Sequence, residues 1–349
     1  MLPFDDDMEV ARGWLQPLDE LRDLIELGGD CAQATVVCTI PSARGRLPMH
    51  AITMGNPDPR VPAIGVFGGV HGLERIGTEV VLAFLRGLLS RLRWDATLGA
   101  LLERLRVVLM PLVNPGGMLR GMRSNPQGVD LMRNAPIECT ERAPPMLRGQ
   151  RLSRHLPWYR GASGASMEIE AQALCGVVER ELLSHSFAIS VDCHSGFGLT
   201  DRIWFPYAHT ARPIEELPEL LALSDLLDDN LVHHQYRFEP QSRQYLAHGD
   251  LWDYLHTVCG ARQEGIFLPL TLEMGSWLWV KKNPRQMLSR QGLFNPLIQH
   301  RQHRVLRRHV ALLEFFMRVA FNHVRWSPTG AQRGALRDAA LARWYSTMP

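Results

Sequence analysis

Short apolar runs alternate with longer stretches of helical periodicity along most of this chain, and this order restricts the possible folds more than any other feature. The strand-like runs cover residues 34–40, 50–54, 63–67, 106–113, 187–192 and 266–272. The stretches with helical spacing cover residues 8–28, 77–92, 167–183, 213–233 and 300–323. We therefore predict an α/β fold, with a mixed, mostly parallel sheet that carries helices on both faces.

The domain organisation follows from length and composition. The chain has 349 residues, of which 46% are hydrophobic, and this is enough for one large core. We predict one main domain over residues 31–326, preceded by a helical extension over 1–30 and followed by a tail over 327–349. Residues 114–166 are rich in Pro, Gly and Arg, and irregular segments of such length are typically functional or disordered.

Charge and cysteine content argue against several classes of partner. The formal net charge is only +2, so we expect no nucleic acid as the main partner. No apolar run reaches the roughly 18 residues of a transmembrane helix, so we expect no membrane partner either. The six cysteines are widely spaced and form no C-x-x-C pair, which favours reduced thiols and a cytoplasmic location.

Polar residues stand at the ends of four predicted strands. His71, Asn114, His194 and Glu273 each follow or close an apolar run. In open α/β sheets, ligands bind beyond the carboxyl ends of the strands. We therefore expect these side chains to gather at one rim of the sheet.

Three of the polar residues near these strand ends are candidate metal ligands. His71 and Glu74 are three residues apart at the predicted start of a helix, and such a spacing can place both side chains on one face. His194 would complete a three-ligand site of the kind that leaves a catalytic zinc one open position. The alternatives are a helix-start histidine beside a solvated Glu74, and a buried core histidine at His194. Cys193 is expected to face the core, because neighbours on a strand point to opposite faces.

Glu273 is a candidate general base. A carboxylate at the end of an apolar strand is costly unless it is paired or has a function. Next to a metal-activated water, Glu273 could accept a proton and pass it to a leaving amine. The alternative is a surface salt bridge at the end of the strand.

Arginines and one aspartate in the irregular segment are further candidates. Arg123 and Arg133 could stabilise an oxyanion or bind a substrate carboxylate through paired hydrogen bonds. Each could equally tie the loop to the domain. Asp130 could accept a hydrogen bond from the second nitrogen of a metal-binding imidazole.

Five short motifs, in this order and spacing, resemble the M14 family of zinc carboxypeptidases. They are H-x-x-E at 71–74, N-P-x-G at 114–117, R-x-N-x-x-G-V-D-L-x-R-N at 123–134, D-x-H-S at 192–195 and T-L-E at 271–273. The resemblance implies one zinc ion held by His71, Glu74 and His194, with Glu273 as general base. The implied reaction is hydrolysis of a peptide or other amide bond near a free carboxylate by metal-activated water.

The resemblance also implies roles for five residues outside the ligand set. Arg123 would polarise the scissile carbonyl, and Arg133 with Asn134 would bind the substrate, with Arg133 on its terminal carboxylate. Asp130 would orient His71. Tyr245 corresponds to the family's mobile tyrosine, because it precedes Asp253 by eight residues in a similar pattern.

Several positions depart from the family pattern and keep other functions open. Met132 replaces the Asn that normally precedes the carboxylate-binding Arg, Gly196 stands where digestive members often have Tyr, and Leu73 replaces a common Arg. Trp252 lies near the expected specificity pocket and favours a filled or apolar pocket. The alternatives are a murein-peptide amidase, a deacylase of N-acyl amino acids similar to aspartoacylase or succinylglutamate desuccinylase, and a binding protein without catalytic activity.

Overall fold

The computed structural model describes residues 9–141, 146–233, 235–262 and 265–346. In these ranges eight strands form one sheet. They are β1 (Gln33–Ser42), β2 (Gly45–Gly55), β3 (Ala63–Gly68), β4 (Arg106–Met110), β5 (Phe187–Ser195), β6 (Arg202–Phe205), β7 (Arg237–Pro240) and β8 (Ile266–Met274). The first eight residues and the last three, parts of the predicted extension and tail, lie outside the described residues.

The helices of the described residues connect and cover these strands. They are α1 (Gln16–Gly28), α2 (Arg75–Arg91), α3 (Ala96–Leu102), α4 (Pro115–Arg120), α5 (Ile169–Glu181), α6 (Leu217–Asn230), α7 (Leu251–Arg262), α8 (Trp277–Lys282), α9 (Gln299–Phe321), α10 (His323–Trp326) and α11 (Gly330–Trp344). None of the described helices combines the length and apolar character needed to cross a bilayer.

The sheet is parallel at its centre and mixed towards its edges. The strand order is β1-β2-β4-β3-β5-β8-β6-β7. Strands β4, β3, β5 and β8 run parallel, whereas β1, β2 and β6 join through antiparallel pairs. Four neighbouring strands therefore end at the same rim. The predicted mixed, mostly parallel sheet is confirmed.

Two hydrophobic clusters cover the opposite faces of the sheet. Along β3, Ile64 and Val66 belong to the cluster that includes α1, α2, α6 and α9. Ala63 and Phe67 belong to the cluster that includes α5 and α7. Because side chains alternate along a strand, these two clusters lie on opposite faces of the sheet. The rim at the carboxyl ends of the parallel strands lies between them.

The chain ends differ in detail from the expectation. The helix predicted from residue 8 begins only at Gln16, with a proline in its first turn, because Val10 donates a backbone hydrogen bond to Arg46 of β2. The stretch predicted as a tail contains α11. Trp344 of this helix is buried against Phe205 and Phe238, so the stretch covers the sheet next to β6 and β7.

Candidate metal centre and active site

The parallel pairing of β5 and β8 places two candidate residues side by side. In this register His194 lies directly opposite Glu273. Both side chains are buried at the carboxyl end of the sheet. Cys193, between Asp192 and His194, points into the core as expected, where burial raises its thiol pKa.

His71 and Glu74 reach the same rim from the loop between β3 and α2. This loop packs tightly on α4: a Cβ added at Gly72 would lie 2.2 Å from the carbonyl carbon of Gly117. Asn114 holds the other side of the contact, because it accepts a hydrogen bond from Gly117 and donates one to Val70. Only a residue without a side chain fits at Gly72.

The candidate ligands converge into one cluster. One nitrogen from each of His71 and His194 and one carboxylate oxygen of Glu74 lie within 4.8 Å of one another, and all three residues are buried. Glu74 Oε2 accepts a hydrogen bond from the Ser195 backbone at 2.9 Å and lies 3.1 Å from His194 Nδ1.

The donor set suits a zinc ion. Two imidazoles and a carboxylate are ligands that catalytic zinc sites use. Burial lowers the pKa of His71 well below its usual value, and Arg123 adds to this effect, so the imidazole is neutral as a ligand must be. Its buried Nδ1 has no hydrogen-bond partner among the described residues. At His194, the effect of burial is outweighed by Asp192 and Glu74, which raise the pKa, so a metal ion would displace the Nδ1 proton of this ligand.

Glu273 has the properties of a proton carrier. Its Oε1 accepts a hydrogen bond of 3.0 Å from the Phe197 backbone. Burial, with the nearby negative charge of Glu74, raises the pKa of Glu273 to about 8. A carboxyl group with a pKa close to neutrality can both accept and return a proton.

Arg123 connects the metal cluster to the irregular segment. Its guanidinium donates to Asp130 Oδ2 at 2.9 Å and to Glu74 Oε1 at 3.3 Å, and Nη2 lies 2.7 Å from His71 Nε2. Asp130 Oδ1 is 3.7 Å from His71 Nδ1, which is within ion-pair range but too long for a hydrogen bond. Asp130 is therefore hydrogen-bonded to Arg123 and not to His71, which it was predicted to orient.

One cavity of about 830 Å³ contains the cluster. Its walls include the catalytic and substrate-binding candidates His71, Glu74, Arg123, Asp130, Arg133, His194, Tyr245 and Glu273. Arg133 is buried, and its Nε has no hydrogen-bond partner in the described part of the chain. Its guanidinium carbon lies 5.7 Å from the centre of the Tyr245 ring.

The structure does not bring Asn134 into this group. Among the described residues, Asn134 is not one of those that line the cavity. Its side-chain oxygen accepts a hydrogen bond from the Glu168 backbone, and its nitrogen donates to the carbonyl of Arg160. Both polar atoms are thus used in fixing the loop, and nothing in this geometry supports the predicted contact with substrate.

The site geometry agrees with a comparison of the whole sequence with known families. The profile of Peptidase_M14, described as zinc carboxypeptidase, matches residues 22–276. The chain belongs to the zinc carboxypeptidase family. This family uses one zinc ion, and the cluster of His71, Glu74 and His194 is its site in this chain. The predicted ligand set is confirmed.

Individual relatives from this family are distant. Carboxypeptidase D of Anas platyrhynchos is 25% identical over 242 residues, which are 66% of this chain and 15% of that protein. Carboxypeptidase SOL1 of Arabidopsis thaliana is 24% identical over 132 residues, which are 37% of this chain and 27% of that protein. This chain therefore spans only a minor part of the length of these relatives.

Solved structures show the zinc carboxypeptidase fold. Carboxypeptidase A of Helicoverpa armigera matches with a TM-score of 0.53 and 17% identity, covering 84% of this chain and 71% of that chain. Bovine thrombin-activatable fibrinolysis inhibitor, solved with tick carboxypeptidase inhibitor, matches with a TM-score of 0.55 and 18% identity, covering 84% and 96%.

Sequence reasoning missed several residues that shape this zinc carboxypeptidase site. Asn295 donates to the Leu73 carbonyl and accepts a hydrogen bond from the Ile76 backbone, so it holds the ligand loop from more than 200 residues away. Phe294 enters the cavity next to Gly196. No local pattern in a single sequence marks such long-range contacts.

Trp252 is placed differently from the expectation. Instead of the specificity pocket, it lies behind His194 with 2% exposure. Its indole N–H donates to Asp192 Oδ2 at 2.9 Å. The cavity receives its aromatic walls from other residues, among them Phe197, Trp204 and Trp277.

Proposed function

We propose that this chain is a metallocarboxypeptidase that hydrolyses the amide bond next to a free carboxylate. The observation that carries this proposal is the convergence of the His71–Glu74–His194 cluster, Glu273 and the buried Arg133 on one cavity. Peptides are the substrate class that the family implies. The finer choice of substrate follows from the residues of the cavity.

The chain's own residues can perform the proton and charge movements of the reaction. When bound, zinc supplies a Lewis acid that polarises the carbonyl and acidifies water. Glu273 takes a proton from water as the new C–O bond forms, and returns it to the amine nitrogen as the C–N bond breaks. Arg123, held by Asp130, offers its guanidinium to the developing oxyanion.

Arg133 is the candidate for binding the terminal carboxylate. A buried guanidinium with an unused N–H favours an anionic ligand, because pairing removes the cost of an unsatisfied donor. Tyr245 lies beside it and could cover a bound substrate. Met132, also on the cavity wall, has no hydrogen-bond donor to add.

A second candidate function is an amidase that acts on small acidic peptides such as those of murein. The observation in its favour is the apolar Met132 beside Arg133, since it weakens strict recognition of a terminal carboxylate. One panel of substrates tests both functions: dipeptides with a free C-terminal carboxylate, murein peptides and N-acyl amino acids. Preferential cleavage of the dipeptides favours the carboxypeptidase, and preferential cleavage of the murein peptides favours the amidase. Preferential cleavage of N-acyl amino acids would instead favour a deacylase.

Glu273→Gln provides the test of the proposed chemistry. The variant should bind one zinc ion like the wild type but lose about 10²–10⁴-fold in kcat, because Gln has no basic oxygen for the proton. His71→Ala should lose zinc, and the exposed Glu103→Gln should behave as wild type. A wild-type protein that binds no zinc after reconstitution, or full turnover by Glu273→Gln, would refute the proposal.

We also propose a cytoplasmic location. All six cysteines lie in the described part of the chain, and each is a free thiol. Free thiols are typical of reducing compartments. Fractionation of the producing cells, followed by detection of the chain, tests this location.

A further inference from the structure

A chain of hydrogen bonds continues behind the metal cluster, away from the cavity. His194 Nε2 lies 2.7 Å from Asp192 Oδ2. The same oxygen accepts the indole N–H of Trp252 at 2.9 Å. All three residues are buried, and Asp192 is not exposed at all.

This arrangement selects the tautomer of His194. Both ring nitrogens of His194 face carboxylate oxygens: Nε2 faces Asp192 Oδ2, and Nδ1 faces Glu74 Oε2. When a metal ion takes the place of the proton on Nδ1, Asp192 Oδ2 would keep the remaining proton on Nε2. A zinc ligand requires this unprotonated Nδ1. The position of the Asp192 carboxylate therefore sets both the tautomer and the ring orientation of a metal ligand.

Trp252 is itself fixed from two directions. At the start of α7, its backbone N–H donates to Asp250 Oδ1 at 2.9 Å. Its ring contacts Phe67 of β3, with ring centroids 5.0 Å apart. Phe67 is the neighbour of Asp192 across the β3–β5 pair. Trp252 thus touches both strands that lead to the histidine ligands.

The geometry points to Trp252 as a positioning residue for zinc, which acts through Asp192 on His194. Asp192 is buried and has only these two side-chain partners for Oδ2, while its Oδ1 has none among the described residues. Removing the indole N–H leaves the Asp192 carboxylate less restrained. The His194 ring is then less firmly held in the orientation that presents Nδ1 to the metal ion. This inference rests on the metal site of the proposed function.

Trp252→Phe tests the inference, because phenylalanine keeps a ring against Phe67 and removes only the N–H donor and part of the indole. We expect its zinc affinity to fall about tenfold, the lower limit for partners of metal ligands, and that of Asp192→Asn by about 100-fold. Zinc affinity is measured by competition with a chelator. The matched control is Trp344→Phe. It removes a buried indole hydrogen bond to the backbone carbonyl of Phe238, which is not part of the metal site, and should leave zinc affinity unchanged.

A double-mutant cycle tests whether Trp252 acts through Asp192. If it does, Trp252→Phe should have little further effect in the Asp192→Asn background. The visible spectrum of the cobalt-loaded protein, which reports ligand geometry, should change in Trp252→Phe and not in Trp344→Phe. Circular dichroism confirms that each variant is folded.

The outcomes separate this inference from the proposed function. A wild-type chain that binds no zinc refutes the proposed function itself. A wild type that binds zinc, together with Trp252→Phe of equal affinity and equal cobalt spectrum, overturns only the inference. Additive losses in the double-mutant cycle would overturn the route through Asp192. If Trp252→Phe fails to fold, unchanged zinc affinity in Asp192→Asn overturns the inference.

Discussion

The two halves of the metal centre are held by different means. His194 and Glu273, which we call the strand side, lie on adjacent strands and are placed by the hydrogen-bond register of β5 and β8. His71 and Glu74, which we call the loop side, lie between β3 and α2 and depend on contacts with distant segments. One half is fixed by backbone pairing between strands, and the other by packing and side-chain hydrogen bonds from distant segments.

This difference predicts where the centre is sensitive to substitution. Moving a residue within a paired strand would require a slip of the whole register, which the core opposes. A loop can shift when a single contact is lost. We therefore expect substitutions remote from the metal to disturb the loop side more than the strand side.

The largest effect is expected for Gly72→Ala on the loop side. The added Cβ would meet the Gly117 carbonyl carbon at 2.2 Å and the Met118 nitrogen at 2.3 Å, and both are backbone atoms that cannot rotate away. The free energy of unfolding should fall by about 3 kcal/mol, the upper end of the usual cost of overpacking. Zinc affinity should fall as well. Urea denaturation and chelator competition measure both.

A glycine of the following helix provides the control. Gly87 lies in α2, and a Cβ added there has nothing within 4 Å. Gly87→Ala should stabilise the protein by about 0.5–1 kcal/mol through helix propensity and leave zinc binding unchanged. Equal behaviour of the two alanine variants would contradict the role of loop packing.

The strand side was the more predictable half. Apolar runs reveal where strands end, and parallel strands end at one rim, so His194 and Glu273 could be placed at the same rim from the sequence. Their direct pairing is visible only in the structure. The roles of Asn295 and Trp252 could not be predicted, since each acts through hydrogen bonds to residues far away in the sequence. The burial of α11 was also missed, because only Ala340 and Trp344 of this helix are buried, too few to mark an apolar face in the sequence.

A smaller effect is expected for Asn295→Ala. This change removes the hydrogen bonds to the Leu73 carbonyl and the Ile76 N–H, which lie on either side of Glu74. Leaving these groups unsatisfied should cost about 1–3 kcal/mol of unfolding free energy. Zinc affinity should fall, as for Gly72→Ala. The exposed Asn230→Ala should change neither quantity, and an equal effect there would refute a specific role of Asn295.

The pH dependence of stability tests the support behind the strand side. Burial, followed by the negative charge of Asp253, raises the pKa of Asp250 from 3.8 to about 7, although Arg133 opposes this shift. Between these values the folded state holds a proton that the unfolded state has lost. This group therefore makes the unfolding free energy fall as pH rises from about 4 to about 7.

Asp250→Asn should remove that dependence. Asn keeps the side-chain oxygen that accepts the N–H groups of Trp252 and Asp253, but it carries no titrating charge. We expect the free energy of unfolding of Asp250→Asn, relative to that of the wild type, to increase by about 1–2 kcal/mol between pH 5 and pH 8. A shift of one pKa unit corresponds to about 1.4 kcal/mol, and we expect only part of the full shift to be expressed. Urea denaturation at both pH values measures this. A difference that is constant with pH would show that Asp250 does not titrate in this range.

The smallest expected effect lies on the cavity wall, outside both halves of the metal centre. Met132→Asn places an N–H donor next to Arg133, where the family pattern has an amide. One added hydrogen bond to a substrate carboxylate is worth about 0.5–1.5 kcal/mol, so KM should fall by roughly 2–12-fold with unchanged zinc affinity. A C-terminally amidated peptide is the control. If its KM falls equally, the new side chain does not contact the carboxylate, and the substrate terminus does not lie beside residue 132.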